Sequence, residues 1–320
     1  MTPIPSIDMK IPMFHRALRT AAALGAALLM SLLPLVAHAA EQRTFGTPEA
    51  AVDALIAALK ANDEAALVAL VGDKHKNLVV TGDAAYDSAK RSEAAALLGT
   101  FRALDDRGAD RRVLLIGPQA WPFPIPLVRQ GNAWRFATEQ GAEEIFNRRI
   151  GENELNALRV LRAYVAAQQE YASVDRDGDG VLQYAQRLAS TPGQFDGLYW
   201  PAEASRGGEA SPFGPLIAES SAYLGERKSG DPYRGYRFRI LTRQGTNAPG
   251  GAYDYMVNGR LISGFAMVAY PSDYGESGVM TFVVNHNGKL FEKDLGKNTR
   301  ALAERMSAFN PGGGWKATSP

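Results

Sequence analysis

A long helical pattern in the middle of the chain restricts the fold more than any other feature. From about residue 142 to residue 173, Leu155, Leu158, Leu161, Val165 and Ala172 recur mostly three or four positions apart. That spacing predicts an amphipathic helix with one face on a core. Gly151 is expected to break or kink it early, separating a linking helix from a core helix. Helices and then strands precede this stretch, and strands follow it. Such an order belongs to the α+β class, with antiparallel sheets.

The first half opens on Thr47-Pro48-Glu49, a Thr N-cap, a Pro at the first helical position and an acid in the first turn. Ala51, Leu55, Ala58 and Leu59 then mark a half-buried helix. Asn62-Asp63-Glu64 restarts a short helix that runs through Leu70 and ends at Gly72. A third helical stretch is expected over residues 84–104. Residues 112–117, 125–129 and 133–137 read as strands, with Gly131-Asn132 in the last turn. In Trp121-Pro122-Phe123-Pro124, alternate prolines rule out a central strand and predict a rigid edge, with Trp121 and Phe123 packed on the core. A surface for partners or sugars is the other reading of those aromatics.

After the long helix, residues 236–241 alternate in period two and residues 265–269 form a buried-strand run. Residues 280–284 and 289–292 face each other across His286-Asn287-Gly288, an Asn-Gly hairpin. A closing helix is expected over residues 298–309. The tail, 311–320, is rich in breakers and is expected to be flexible.

The N-terminus points to export. Lys10, Arg16 and Arg19 precede an apolar run, residues 21–36, that closes on Ala37-His38-Ala39-Ala40. This is the layout of a cleavable signal peptide over residues 1–40, cut near Ala39 or Ala40. At roughly 16 residues the run is short of the ~20 that span a bilayer, so no membrane span is expected after cleavage. Removing Lys10, Arg16, Arg19 and Asp8 turns the formal net charge of +1 into −1. Such a balance gives no bulk attraction for nucleic acid. The chain has no cysteine and four histidines, of which only His75 and His286 follow the signal. Disulfides, thiolate ligands, Cys nucleophiles and multi-His zinc sites are therefore excluded.

Three resemblances follow from quoted stretches. The opening TPEAAVDALIAALKANDEAALVALVGD and the hairpin PLVRQGNAWRFAT resemble NTF2-like domains, which implies a cone-shaped α+β unit over residues 41–145. NELNALRVLRAYVAAQQEYAS, GYRFRIL and GFAMVAYPSDYGESGVMTFVVNHNGKLFEKDLG resemble a type IV pilin or pseudopilin headgroup. That implies a long helix on an antiparallel sheet over residues 146–310, here without a preceding membrane half-helix. As a whole, through WPFPIPLV, NRRIGENEL, DRDGDGVLQYAQR, STPGQFDGLYWP, GGAYDYMVNGR and YGESGVMTFVVNHNG, the chain resembles the bacterial domain of unknown function 2950.

The sharpest chemical motif is Asp175-Arg176-Asp177-Gly178-Asp179-Gly180-Val181. Asp175, Asp177 and Asp179 stand at positions one, three and five of an EF-hand-type loop, with the Val181 carbonyl at seven. Gln186 stands at twelve, where a bidentate Glu is expected. The loop predicts a structural Ca2+ site of the weak extracytoplasmic kind; the plain alternative is an acidic, solvated turn. The aromatics of Phe195-Asp196-Gly197-Leu198-Tyr199-Trp200 are expected to seal a core rather than stack on a sugar. Asp196, Asp254, Asp273 and Glu276 lie in loops, and no two of them stand out as a catalytic pair. His75 reads as exposed loop and His286 as a surface turn residue. The combined expectation is an exported, periplasmic or secreted, non-catalytic envelope protein with a structural or interaction role, its partners being envelope proteins or glycans. The alternative is a periplasmic enzyme or carbohydrate-binding module acting on cell-wall glycans.

Overall fold

The computed structural model describes residues 42–201, 210–219 and 231–318; the expected export signal lies outside them. Local rules account for the opening helices. Helix α1 (Pro48–Lys60) starts where Thr47 Oγ1 accepts the Ala50 N–H, and α2 (Glu64–Val71) where Asp63 accepts that of Ala66. Gly72 ends α2 at a positive φ of 86° that other residues rarely adopt. Helix α3 (Ala84–Thr100) is shorter than the expected 84–104, because the chain turns extended at Phe101. Leu104 instead lies in strand β1 (Arg102–Asp106) opposite Leu114 of β2 (Arg111–Ile116). Strands β3 (Trp121–Pro122), β4 (Leu127–Gln130) and β5 (Ala133–Phe136) complete an antiparallel sheet in the order β1-β2-β4-β5, with β3 on β2. Phe123 packs on the core as expected, but Trp121 is 57% exposed.

Helix α4 (Thr138–Tyr171) passes through Gly151 without a break. A single helical glycine costs only about 1 kcal/mol against alanine, which packing along the helix easily outweighs. The buried face is the expected one in part: Leu161 is buried, and Leu158 and Val165 pack against the core. Leu155 is 69% exposed, while Asn153, Asn156, Ala157, Val160, Leu161, Tyr164, Ala167, Gln168 and Tyr171 are buried. Polar Asn and Gln on that face broke the apolar pattern that periodicity reads.

Beyond α4 come β6 (Arg187–Ala189) and β7 (Gly197–Tyr199), paired in parallel, and α5 (Gly214–Glu219). Strands β8 (Tyr236–Leu241), β9 (Arg243–Gln244), β10 (Tyr253–Asp254), β11 (Met256–Val257) and β12 (Arg260–Leu261) follow. The chain then forms β13 (Ala266–Pro271), β14 (Met280–Asn285) and β15 (Leu290–Asp294). The closing helix α6 is only Thr299–Arg305, since Met306 is extended and β16 (Ala308–Phe309) pairs with β9. Within the 311–320 tail, β17 (Lys316–Ala317) pairs with β15. The main sheet runs β17-β15-β14-β13-β8. Both α4 and α6 pack on β13, which is buried at all six positions, as a strand covered on both faces must be.

Two hydrophobic cores result. One gathers α1, α2 and the first sheet, with Ala142, Ile145 and Phe146 of α4 against it. The other holds Ala157, Leu161, Tyr164 and Tyr171 of the same helix over β13 and β14. Fully buried side chains of this size each contribute about 1.5–3 kcal/mol. The buried Gln168 amide fixes its neighbour as well: its Nε2 donates to Ala185 O at 2.7 Å and its Oε1 accepts the Ala185 N–H at 2.8 Å.

The start of α4 lies directly on the chain before β4. A Cβ added at Gly141 would sit 2.4 Å from Pro124 O and 2.8 Å from Ile125 N, whereas one added at Gly151 meets nothing within 4 Å. We therefore expect Gly141→Ala to lower stability by about 1–3 kcal/mol through overpacking and Gly151→Ala to be neutral or stabilising by up to about 1 kcal/mol. Thermal or urea unfolding of the two variants checks this; equal behaviour would contradict the packing described.

Candidate functional site

A cavity of about 300 Å³ opens inside the first half. Leucines and valines of α1 and α2, with Phe123, Ile125 and Phe136 from the sheet side, supply its apolar lining. Its polar lining comes from Thr81, from one face of α3 (Tyr86, Asp87, Lys90, Arg91) and from one face of α4 (Arg148, Arg149, Glu152). These spacings of one, four and five, and of one and four, place each set along a single helical face. The cavity is thus amphipathic by construction.

Most of its charges are matched. Lys90 Nζ reaches Glu152 at 2.7 Å and Glu93 at 3.0 Å, Arg91 pairs with Glu64 at 3.5 Å, and Arg148 with Glu144 at 2.7 Å. Asp87 accepts from Thr81 N–H at 2.9 Å and from Thr81 Oγ1 at 2.8 Å; burial nonetheless raises its carboxyl above the usual range. Burial likewise raises the Tyr86 phenol. Arg149 differs from the other cations. Its Nη1 donates to Asn77 O at 2.9 Å and its Nη2 to Leu78 O at 2.5 Å, and it forms no ion pair among the described residues. Burial pushes its guanidinium below the ordinary value, and Tyr86, Asp87 and Glu276 offset this only in part.

A second cavity of about 300 Å³ shares Thr81, Tyr86 and Arg149 with the first. It is more polar than the first, and its far side is formed by Asp231, Arg237, Asp273, Glu276 and Ser277 of the second half. Helix α4 ties the two sides together here. Asn153 Nδ2 donates to Ser277 O at 2.9 Å, and Glu154 Oε1 accepts the N–H groups of Val279 and Met280 at 3.0 and 2.9 Å. Asn77 Nδ2 donates to Glu276 Oε1 at 2.9 Å. The Asn153 Oδ1 acceptor is buried and has no hydrogen-bond partner among the described residues.

The residues singled out from sequence lie elsewhere. Asp175, Asp177 and Asp179 do share one exposed turn. Asp175 accepts from Gly178 N at 2.9 Å and Gly180 N at 2.7 Å, and these backbone donors hold its carboxyl below the usual range. Asp177 accepts from Gln183, while Asp179 accepts from Val181 N and pairs with Arg260. Gln186 donates its amide to Gly259 O at 3.0 Å. Among the described residues no group of three His, Cys, Asp or Glu side chains is arranged to hold a metal ion. Phe195 and Trp200 meet edge to face, with Trp200 fully in the core, and Asp196 accepts from Thr191. Asp254 accepts from Met256 N. Asp273 and Glu276 line the second cavity.

Arg149, Glu152 and Asn153 carried no assigned role in the sequence. They fall within NRRIGENEL, a polar run inside a helix, and its interruption of the apolar stripe was the available signal. His75 is half-buried in the short turn Asp73–Leu78. His286, expected at the surface, is half-buried against Tyr255 and Phe265, and its Nδ1 has no hydrogen-bond partner among the described residues. Burial lowers its pKa from the ordinary 6.5. The folded protein thus takes up this proton at lower pH than the unfolded chain does. The neutral ring's stabilising share is present above about pH 6.5 and falls away as pH drops from there through the folded value. His286→Phe should flatten that part of an acid-unfolding curve; an unchanged slope between pH 7 and 5 would show that the ring titrates freely.

The model of a family described as Protein of unknown function (DUF2950) matches residues 42–318. No curated protein and no solved structure matches the chain.

Proposed function

The chain belongs to the family described as Protein of unknown function (DUF2950), and on that premise we propose that it is an exported, non-catalytic envelope protein that works by binding. The observation that carries this reading is the apolar cavity of the first half. Holding open about 300 Å³ among buried leucines forfeits dispersion contacts. A volume of this order is the lower end of small-molecule sites. The two-part reading, an NTF2-like unit followed by a pilin-headgroup-like one, is supported by the separate cores and by α4 lying across β13 and β14. The signal-like start supports a periplasmic or secreted location. The burial of Trp200 and its contact with Phe195 favour a scaffold over a glycan-binding cleft.

A neutral apolar fluorophore, N-phenyl-1-naphthylamine, should brighten on mixing with the protein at micromolar concentration. Ala94→Phe, which fills space at the cavity wall, should weaken it at least tenfold without loss of the thermal transition. An equal signal from both proteins, or none from the wild type, would overturn the cavity reading.

The acidic loop is proposed as a calcium site of structural role, supported by the alternation of Asp175, Asp177 and Asp179. Binding requires Arg260 to leave Asp179 and Gln183 to leave Asp177, which suits affinities of ~10⁻⁴ to 10⁻³ M. Calorimetric titration should give heat and a raised melting temperature in the wild type and neither in Asp177→Ala. Silence at millimolar calcium would reject the site.

A further inference from the structure

We infer that the cavity of the first half takes a single-chain carboxylic acid, its alkyl chain among the leucines and its carboxylate on the guanidinium of Arg149. This rests on the cavity reading above and adds the charge and shape of the head group.

The argument starts from the charge pairing around the cavity. Four cations line it, and Lys90, Arg91 and Arg148 each have a carboxylate of their own. Among the described residues Arg149 forms no ion pair: it bonds the backbone carbonyls of Asn77 and Leu78 and lies 5.5 Å over the Phe146 ring. A guanidinium has five N–H donors, so three remain after those bonds. The acids nearest to it are already engaged: Asp87 by Thr81, Glu276 by Asn77 and Glu152 by Lys90. Asp87 and Glu276 ease its burial from a distance, but none of the three forms an ion pair with it. A largely desolvated cation without a paired anion is costly, and its burial is registered in the lowered pKa of the group.

Position then decides what kind of anion fits. Arg149 belongs to the lining of both cavities, together with Thr81 and Tyr86. It therefore stands where apolar space gives way to polar space. A molecule with its charge at one end of an apolar chain matches that boundary. A planar carboxylate matches the fork of an arginine better than a point anion does. The two carbonyl bonds hold the side chain in place beforehand, so little side-chain entropy is lost on binding.

The test uses the purified protein with N-phenyl-1-naphthylamine bound, displaced by decanoate or by decanol, which has the same chain without the charge. Decanoate should displace the probe at a concentration at least tenfold lower than decanol. Arg149→Gln should bring the two within about threefold of each other, while Arg159→Gln, at an exposed cation of the same helix that lines neither cavity, should keep the preference. Because Arg149→Gln also removes bonds to Asn77 and Leu78, a second readout uses the wild type alone. The ¹³C-carboxyl resonance of bound decanoate should titrate at lower pH than that of the free acid. Burial away from a guanidinium would move it higher instead, and that result would overturn the assignment. Equal displacement by acid and alcohol would also overturn it while leaving the apolar cavity intact. Failure of both to displace a bound probe would reject a chain-binding cavity altogether.

Discussion

The contacts that α4 makes along its length hold the remaining parts in register. Its first turns close the core of the first half, with Gly141 packed directly on the backbone of Pro124 and Ile125. Its later turns cover β13 and β14. Between them, Arg149, Asn153 and Glu154 reach opposite sides of a seam and bond to backbone groups of residues 77–78 and 277–280. Because a continuous helix transmits position rigidly, a shift at either end would be felt at the other. The two cavities that share Arg149 exist because this helix spans both halves.

The same arrangement explains why charge collects where it does. A helix that leaves one core and enters another passes through a zone where neither apolar side covers it. Polar side chains are favoured there, and those of NRRIGENEL fill it. Lys90 with Glu152 and Arg148 with Glu144 are partly exposed pairs that contribute little stability. The deeper groups matter more, because Asp87 and Arg149 lose solvation that local bonds only partly replace.

Much of the fold was legible in the sequence. Thr47, Asp63 and Gly72 mark helix ends through bonds that span only a few residues. The run at 265–269 and the Asn287-Gly288 hairpin reveal strands that the structure places side by side. The errors also have physical causes. Gly151 was read as a break because propensity was weighed without packing, and Leu155 as core because apolar character was read without knowing which face had a partner. The closing helix is shorter than periodicity predicts because Met306 turns extended and Ala308 and Phe309 pair with β9, some 65 residues distant.

The candidate site was legible only as a motif without a role. The acidic loop caught attention because its carboxylates are close in sequence, and the structure shows them bound to donors in the same turn and to Arg260. Arg149 drew none. Its standing depends on Asn77 and Leu78 some 70 residues away, and on the prior engagement of Asp87, Glu152 and Glu276 by other groups. By itself the sequence determined the α+β class, the absence of cysteine chemistry and the main helices and strands, because those follow from local bonding and periodicity. Only the tertiary structure decided which face of α4 is buried, where the cavities lie and which lining cation forms no ion pair among the described residues, because each is a relation between residues far apart in the chain.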